Sequence, residues 1–233
     1  MAEADIIIEY RFRFERGTDK LFVVRLRRED LRLVLSPTAF HPSWTRLEHR
    51  QCPNCPLQPT QAPHCPAAAG LADLMDSFKD CLSTEPAEIV VAVEAREYRK
   101  QAPVQYGVSA LMGLLMATSG CPVMAKLRPM VHVHLPFATI EETMFRAASM
   151  YLLAQHFRVQ RGQVADWEMA NLVEIFDQVA EVNQAFAQRL VSINPKDASL
   201  NALANLDCFA VVTSFAITKD NLKELEPLFQ AYL

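Results

Sequence analysis

Residues 36–66 constrain the fold of this 233-residue chain most strongly, because they can form neither a helix nor a strand. Seven of the chain's 14 prolines lie in this segment. Proline cannot donate a backbone hydrogen bond to a β-ladder, and it cannot continue a helix. A loop of about 30 residues is unusual inside a compact domain and is commonly functional. We therefore expect something other than secondary structure to order this segment.

The segment before this loop, residues 1–35, is predicted to form a β-meander. Apolar and polar side chains alternate over residues 6–14, which is typical of a half-buried strand. Residues 21–26 and 31–35 are predicted to be the next two antiparallel strands. Residues 88–98 also alternate, and we expect them to form one strand that joins the same sheet.

The rest of the chain is predicted to be mainly helical. Apolar residues at helical spacing indicate helices over residues 71–82, 104–118, 139–157, 166–190 and 199–217, with a short one from residue 220. The helix at 104–118 is apolar nearly all round, which predicts that it is buried. The predicted fold class is α+β: a small antiparallel β-sheet packed with a mostly helical C-terminal half. We expect one domain over 1–233, with sub-regions 1–35, 36–66, 67–135 and 136–233.

Four of the six cysteines are followed directly by proline: Cys52, Cys55, Cys65 and Cys121. Proline makes up only about 5% of average sequences, so this pairing is far above chance. The proline fixes the outgoing backbone and keeps the cysteine away from the helical region. Rigid, extended turns of this kind suit a preorganised metal site. The other two cysteines, Cys81 and Cys208, lie in apolar segments and are predicted to be small buried side chains.

The spacing of these four cysteines also indicates a shared site. Two residues separate Cys52 from Cys55, nine separate Cys55 from Cys65, and Cys121 lies just past a predicted helix end. In a reducing compartment, clustered cysteines indicate metal binding or redox work rather than structural disulfides. We predict that the four thiolates hold a metal or a cluster. The alternatives are a Cys52–Cys55 redox pair and plain reduced thiols.

The kind of centre is narrowed by the residue that follows the second cysteine. Four thiolates suit zinc and iron–sulfur centres equally well. A zinc knuckle or rubredoxin turn usually has glycine with positive φ after the second cysteine, where this chain has Pro56, which cannot take positive φ. Cys–Pro pairs recur at the end of ferredoxin-type cluster motifs, although the full ferredoxin spacing is absent here. The sequence favours a [4Fe–4S] cluster, with zinc as the alternative and a thiolate-bound haem as a further one.

Two histidines beside the cysteines are additional candidate ligands. His49 lies three residues before Cys52, and His64 directly precedes Cys65. Either imidazole could replace Cys121 at a zinc ion. Otherwise, these histidines are exposed loop residues or hydrogen-bond partners of the ligands.

His132 and His134 form a second, separate constellation. If residues 131–135 form a strand, both imidazoles lie on one face, and Glu141 or Glu142 could complete a divalent metal site. The pattern is short and arises often by chance. Glu142 also has a competing role, because the run from Thr139 predicts a capping box at the start of a helix.

Charge and composition exclude several classes of function. The net charge of −4 argues against a nucleic-acid binder that neutralises many phosphates. The few glycines form no phosphate-binding loop. The N-terminal residues lack the features of a signal peptide, and the longest apolar stretch, 108–118, is too short to cross a bilayer. We expect a cytoplasmic protein without a membrane or nucleic-acid partner.

The function predicted from the sequence is a cysteine-ligated metalloprotein that binds a [4Fe–4S] cluster for electron transfer, for redox sensing or as a subunit of a redox system. A protein redox partner or a homodimer fits this function. One alternative is a zinc-stapled structural module that binds a partner through its helical surface. A second alternative is a metalloenzyme with a separate site at His132 and His134. The sequence names no substrate or reaction.

Overall fold

A computed structural model of the chain describes residues 4–35, 41–193, 196–218 and 221–233. Its strands are β1 (Ile6–Phe14), β2 (Lys20–Leu26), β3 (Pro86–Val93) and β4 (Arg96–Pro103). Its α-helices are α1 (Pro66–Phe78), α2 (Val104–Thr118), α3 (Ile140–Gln160), α4 (Ala170–Val191) and α5 (Asp197–Thr218). Short 3-10 helices cover Ser43–Thr45, Met124–Val133 and Asn221–Phe229. The predicted α+β fold class is confirmed.

The four strands form one antiparallel sheet in the order β2-β1-β3-β4. Strand β1 lies in the middle, and its Ile8 is opposite Val24 of β2 and Val93 of β3. The alternation in β1 places Ile8, Tyr10 and Phe12 on the buried face, where they are at most 1% exposed. The period of two in the sequence therefore located this face of the sheet correctly.

Helix α2 packs directly on the sheet. A side chain at Gly107 would bring its Cβ within 2.5 Å of the Phe12 ring and 2.9 Å of Ile89, so only glycine permits this close approach. Helix α5 packs against both α2 and α4. The helix that the sequence predicted to be apolar all round is thus enclosed between the sheet and the C-terminal helices.

Two predicted strands differ from the structure. Residues 31–35 contribute only an isolated bridge, Leu26 to Leu33, because Leu31 takes a positive φ of 57° that breaks an extended strand. The single strand predicted at 88–98 is a hairpin of β3 and β4, which turns at Glu94 with a φ of 49°. Alternation continues through such a tight turn, so it hides the reversal of chain direction.

The start of α3 follows the predicted capping box. The Thr139 hydroxyl accepts a hydrogen bond from the Glu142 backbone N–H at 3.1 Å, and the Glu142 carboxylate accepts one from the Thr139 N–H at 2.7 Å. Glu142 therefore has the structural role rather than the metal-binding one. Among the helices of the described ranges, none combines the length and the hydropathy that a membrane span needs.

Candidate metal centre

The proline-rich segment, described from residue 41, is folded back on itself by backbone hydrogen bonds. Arg46 and His64 form an isolated antiparallel bridge. The Cys65 N–H donates to the Thr45 carbonyl at 2.7 Å, and the Leu47 N–H donates to the Pro63 carbonyl at 3.0 Å. The two ends of this segment, which carries three cysteines, are thereby tied together.

A buried arginine orders the first half of the segment. Arg189, near the end of α4, is 1% exposed. Its Nη1 donates to the carbonyls of Trp44 and Arg46, both at 2.8 Å, and its Nη2 donates to those of Leu47 at 3.3 Å and Arg50 at 3.4 Å. The guanidinium thus supplies the donors that the segment cannot obtain from secondary structure.

Sequence reasoning missed Arg189, although the sequence contains a signal for it. Val182 and Phe186 lie on the buried face of α4, and Arg189 stands seven residues after Val182, where helical spacing calls for an apolar side chain. A cation at a core position indicates a buried partner. Its partner is a distant loop, which spacing within the helix cannot reveal.

Each Cys–Pro pair lies at a sharply defined point of the backbone. Cys52 and Cys55 flank a turn that is closed by a hydrogen bond from the Cys55 N–H to the Cys52 carbonyl at 3.0 Å. Cys65 is the N-cap of α1, and Pro66 is the first residue of that helix. Cys121 follows the C-terminus of α2. The thiols of Cys65 and Cys121 are buried, whereas Cys52 and Cys55 are partly exposed.

The structure brings these four cysteines into one neighbourhood. Burial, together with the charges at Cys65, Cys121 and Cys55, raises the pKa of the Cys52 thiol to about 12, and Arg189 acts in the opposite sense. A Cβ at Gly120, directly before Cys121, would lie 4.0 Å from the Cβ of Pro66. The end of α2 and the start of α1 are therefore adjacent. Without a metal, the Cys52 thiol is protonated at neutral pH.

Two of the thiols have local groups that stabilise a thiolate. Burial raises the pKa of Cys121, and backbone hydrogen bonds from Met124 and Val123 act in the opposite sense. Cys65 stands at the N-terminus of α1, where the helix dipole favours negative charge. Metal ligation requires the thiolate form, so both features suit ligands.

Among the residues that the structure describes, no carboxylate balances the charge of Arg189. Burial lowers the pKa of its guanidinium, and Cys65, Cys52 and Cys55 raise it. In the described part of the chain, its hydrogen-bond acceptors are neutral carbonyls, and its buried Nε has no partner. An unbalanced buried charge is costly, and thiolates at Cys65, Cys52 and Cys55 would lower that cost.

The side chains as placed do not close a ligand set. Across the ranges that the structure describes, no three or more His, Cys, Asp or Glu side chains are arranged to hold a metal ion. Ligation by the four cysteines would require loss of their protons and movement of the sulfurs toward one another.

The histidines beside the cysteines have other partners. His49 Nε2 and the Ser192 hydroxyl form a hydrogen bond of 2.7 Å. His64 Nδ1 and the Thr45 hydroxyl form one of 2.8 Å, and burial followed by the charge of His41 lowers the pKa of His64. Each histidine therefore helps to hold the loop, His49 through its Nε2 and His64 through its Nδ1.

The strand that was to align His132 and His134 is absent. Residues Met124–Val133 form a 3-10 helix, so the two side chains do not alternate as in a strand. His132 is exposed, whereas the partly buried His134 shares a hydrogen bond of 2.6 Å between its Nε2 and the Tyr10 hydroxyl. The strand prediction is wrong, and the basis for a second metal site at these histidines is lost.

The remaining two cysteines differ in burial. Cys81 is buried as predicted, in the turn after α1. Cys208 on α5 is exposed, so the prediction of a buried side chain is wrong for it. Helical spacing alone did not reveal which face of α5 meets its neighbours.

A family model described as "Domain of unknown function (DUF6901)" matches residues 8–230 of the chain. The chain belongs to the DUF6901 family. The match covers the sheet except for the first two residues of β1, and it includes all four Cys–Pro pairs and Arg189. No curated protein and no solved structure matches the chain.

His134 of this DUF6901 family member gives a testable pH dependence. Burial, followed by the charge of Arg146, lowers its pKa from 6.5 to about 4. The unfolded chain therefore binds this proton first, so the stability conferred by neutral His134 is present above pH 6.5 and is lost as the pH falls toward 4. We expect a loss of about 2–3 kcal/mol from this group, measured by urea unfolding at pH 7, 5.5 and 4.

The matched variants isolate this group. His134→Gln removes the titration but keeps a side chain that can form a hydrogen bond, so its acid loss should be smaller than that of the wild type. His132→Gln, at the exposed neighbour, should behave like the wild type. Equal acid losses in the wild type and His134→Gln would contradict the assignment.

Proposed function

We propose that this protein binds a [4Fe–4S] cluster through Cys52, Cys55, Cys65 and Cys121. The cluster would serve in electron transfer, in redox sensing or within a larger redox system. Arg189 would balance part of the negative charge of the thiolates. This function would place the protein in the reducing cytoplasm, where free thiols persist.

The observation that carries the proposal is the pairing of four neighbouring thiols with a buried arginine that has no carboxylate partner among the described residues. Four thiolates around a metal centre carry net negative charge. A buried cation next to them is then stabilised rather than penalised. Four protonated thiols would leave the cation without this compensation.

The residue types favour the cluster over zinc. Pro56 cannot provide the positive φ that a zinc-knuckle turn takes after its second cysteine. The Cys52–Cys55 turn is also partly exposed, whereas Cys65 and Cys121 are buried. A cluster held in this way would be shielded on one side and near the surface on the other, which suits electron exchange with a protein partner.

The chain's own residues would have distinct tasks at this centre. The backbone N–H groups of Met124 and Val123 would donate to the sulfur of Cys121, and the N-terminus of α1 would stabilise the thiolate of Cys65. Arg189 would hold the loop and supply positive charge. When bound, the cluster would supply one-electron redox chemistry.

The proposal is tested by anaerobic purification, followed by an absorption spectrum and by iron, sulfide and zinc analysis. We expect a brown protein with about four iron and four sulfide per chain, whose colour fades on reduction. A colourless protein with about one zinc per chain would instead support the zinc-stapled module. Free thiols with neither metal, also after reconstitution with iron and sulfide, would overturn the proposal.

A further inference from the structure

A cavity of about 310 Å³ lies among helices α2, α3, α4 and α5. Most of its described lining is apolar, including Leu114, Leu127, Phe137, Phe176 and Leu206. The four Cys–Pro cysteines are not among these lining residues. The cavity has room for on the order of ten atoms of the size of water, each of which takes about 30 Å³. Its size and apolar wall are typical of a small-molecule site.

Buried polar atoms on three helices of the cavity wall have no hydrogen-bond partner among the residues that the structure describes. They are Nε of Arg146 on α3, Oδ1 of Asn183 on α4 and Nδ2 of Asn205 on α5. Asn183 is only 2% exposed. Leaving such groups without hydrogen bonds is unfavourable, and native proteins seldom do so without a reason. Each of these atoms is enclosed by protein, so a ligand with a polar end would reach it only after a small movement of the side chain.

The charge of the wall is positive. Arg146 and Lys100 line the cavity, and no Asp or Glu is found among the described lining residues. The Nη2 of Arg146 donates to the Met130 carbonyl at 2.8 Å, and its Nε has no acceptor within the described part of the chain. Burial lowers the pKa of the Arg146 guanidinium, and the charge of Glu142, whose carboxylate is engaged at the start of α3, acts in the opposite sense.

Lys100 marks the opening of the cavity. It is exposed, and its Nζ lies 5.3 Å from the centroid of the Tyr106 ring and 5.6 Å from that of Phe137. These cation–π contacts hold the ammonium group beside two lining aromatic rings. A second positive charge therefore stands where an anion would enter.

We infer that this cavity binds a small apolar monocarboxylate, with its carboxylate at Arg146 and its hydrocarbon part against the apolar wall. The guanidinium fork suits a carboxylate because it can donate from Nε and Nη together. The volume indicates a ligand of about ten non-hydrogen atoms. The inference is independent of the metal proposal, because it uses none of the four cysteines.

Three probes of matched chain length test this inference by isothermal titration of the protein as purified: octanoate, 1-octanol and octylammonium. We expect octanoate to bind one per chain, at least tenfold more tightly than the other two. Comparable affinities for octanoate and octanol would show that the cavity binds hydrocarbon chains without recognising the carboxylate, and would overturn the inference. Absence of saturable octanoate binding below about 1 mM, a Kd at the weak end of specific binding, would also overturn it.

Substitutions separate the head group from the chain. Arg146→Met should weaken octanoate binding at least tenfold and leave octanol binding within twofold, whereas Arg146→Lys should retain part of the preference. Arg158→Met, an exposed arginine on the same helix that does not line the cavity, should bind octanoate like the wild type. Equal octanoate affinities for Arg146→Met and Arg158→Met would contradict the inference.

A measurement on the unmutated protein locates the ligand even if the variants fold poorly. Met130 lines the cavity, whereas Met75 is buried in α1 and is not among the lining residues. With methionine methyl groups labelled with ¹³C, octanoate should shift the Met130 signal and leave that of Met75 in place. A shift at Met75 without one at Met130 would place the ligand elsewhere and refute the inference.

Discussion

Cys121→Ala is expected to abolish cluster binding and to lower the free energy of unfolding by about 3–5 kcal/mol. The thiol is buried, and its sulfur interacts with the backbone N–H groups of Met124 and Val123, so alanine removes both a proposed ligand and these contacts. The expected loss is smaller than the roughly 10–16 kcal/mol of metal-dependent peptides, because the sheet and helices have a core of their own. Cys52→Ala should lose the cluster as well.

Cys81→Ala is the matched control for Cys121→Ala. The two thiols are similarly buried, 8% and 9% exposed, and burial raises the pKa of Cys81. The charged groups that also act on this pKa are not the other cysteines but Lys20, Glu85, Asp80 and Lys196. The iron and sulfide content of Cys81→Ala should equal that of the wild type. Iron analysis and urea unfolding under anaerobic conditions measure both effects. Equal loss of iron in the Cys81 and Cys121 variants would refute the ligand assignment.

Arg189→Met should destabilise the protein by about 3–5 kcal/mol, which is the cost of removing one partner from a buried charged network. The carbonyls of Trp44, Arg46, Leu47 and Arg50 lose their donor, and methionine cannot replace any of these hydrogen bonds. We expect residues 44–50 to lose their order, and iron content to fall because this segment leads into Cys52. Urea unfolding and iron analysis would detect the two effects.

Arg189→Lys distinguishes the charge of Arg189 from its hydrogen bonds. Lysine keeps the cation near the cysteines but cannot reach four carbonyls in the geometry of a guanidinium. The lysine variant should therefore retain more iron than Arg189→Met while remaining less stable than the wild type.

Any cluster that remains in Arg189→Met should have a more negative reduction potential, because a nearby positive charge favours the reduced form. Arg161→Met, at an exposed arginine, should change stability by less than about 0.5 kcal/mol. A loss of stability in Arg161→Met equal to that in Arg189→Met would contradict the role of Arg189 in holding the loop.

The periodicity of apolar residues predicted two elements correctly: a strand with one buried face and a helix that is buried nearly all round. The structure has β1 over Ile6–Phe14 and α2 over Val104–Thr118, the same ranges that alternation and all-round hydrophobicity indicated. In both cases, the pattern of residue types within the element reflects how its side chains are buried. The capping box of α3 was predictable for the same reason, because its two hydrogen bonds join residues three apart.

Periodicity failed where backbone conformation, rather than side-chain pattern, decides the path. Leu31 and Glu94 take positive φ values although neither is glycine, so the chain turns where the sequence shows no turn residue. The β-branched or apolar neighbours of His132 and His134 predict a strand there. The surrounding fold instead makes Met124–Val133 a 3-10 helix, which directs His134 toward Tyr10.

The sequence by itself determined the α+β class, the central strand of the sheet and the buried helix. It also determined the set of four cysteines, each of which is followed by a proline that restrains its backbone. These features depend on residue type and on spacing within one segment. Only the tertiary structure decided that Arg189 stands among the thiols, that Cys121 meets the start of α1, and that Arg146 and two asparagines line one cavity. Such contacts join residues up to 145 positions apart, and they arise because packing the helices on the sheet brings these side chains together.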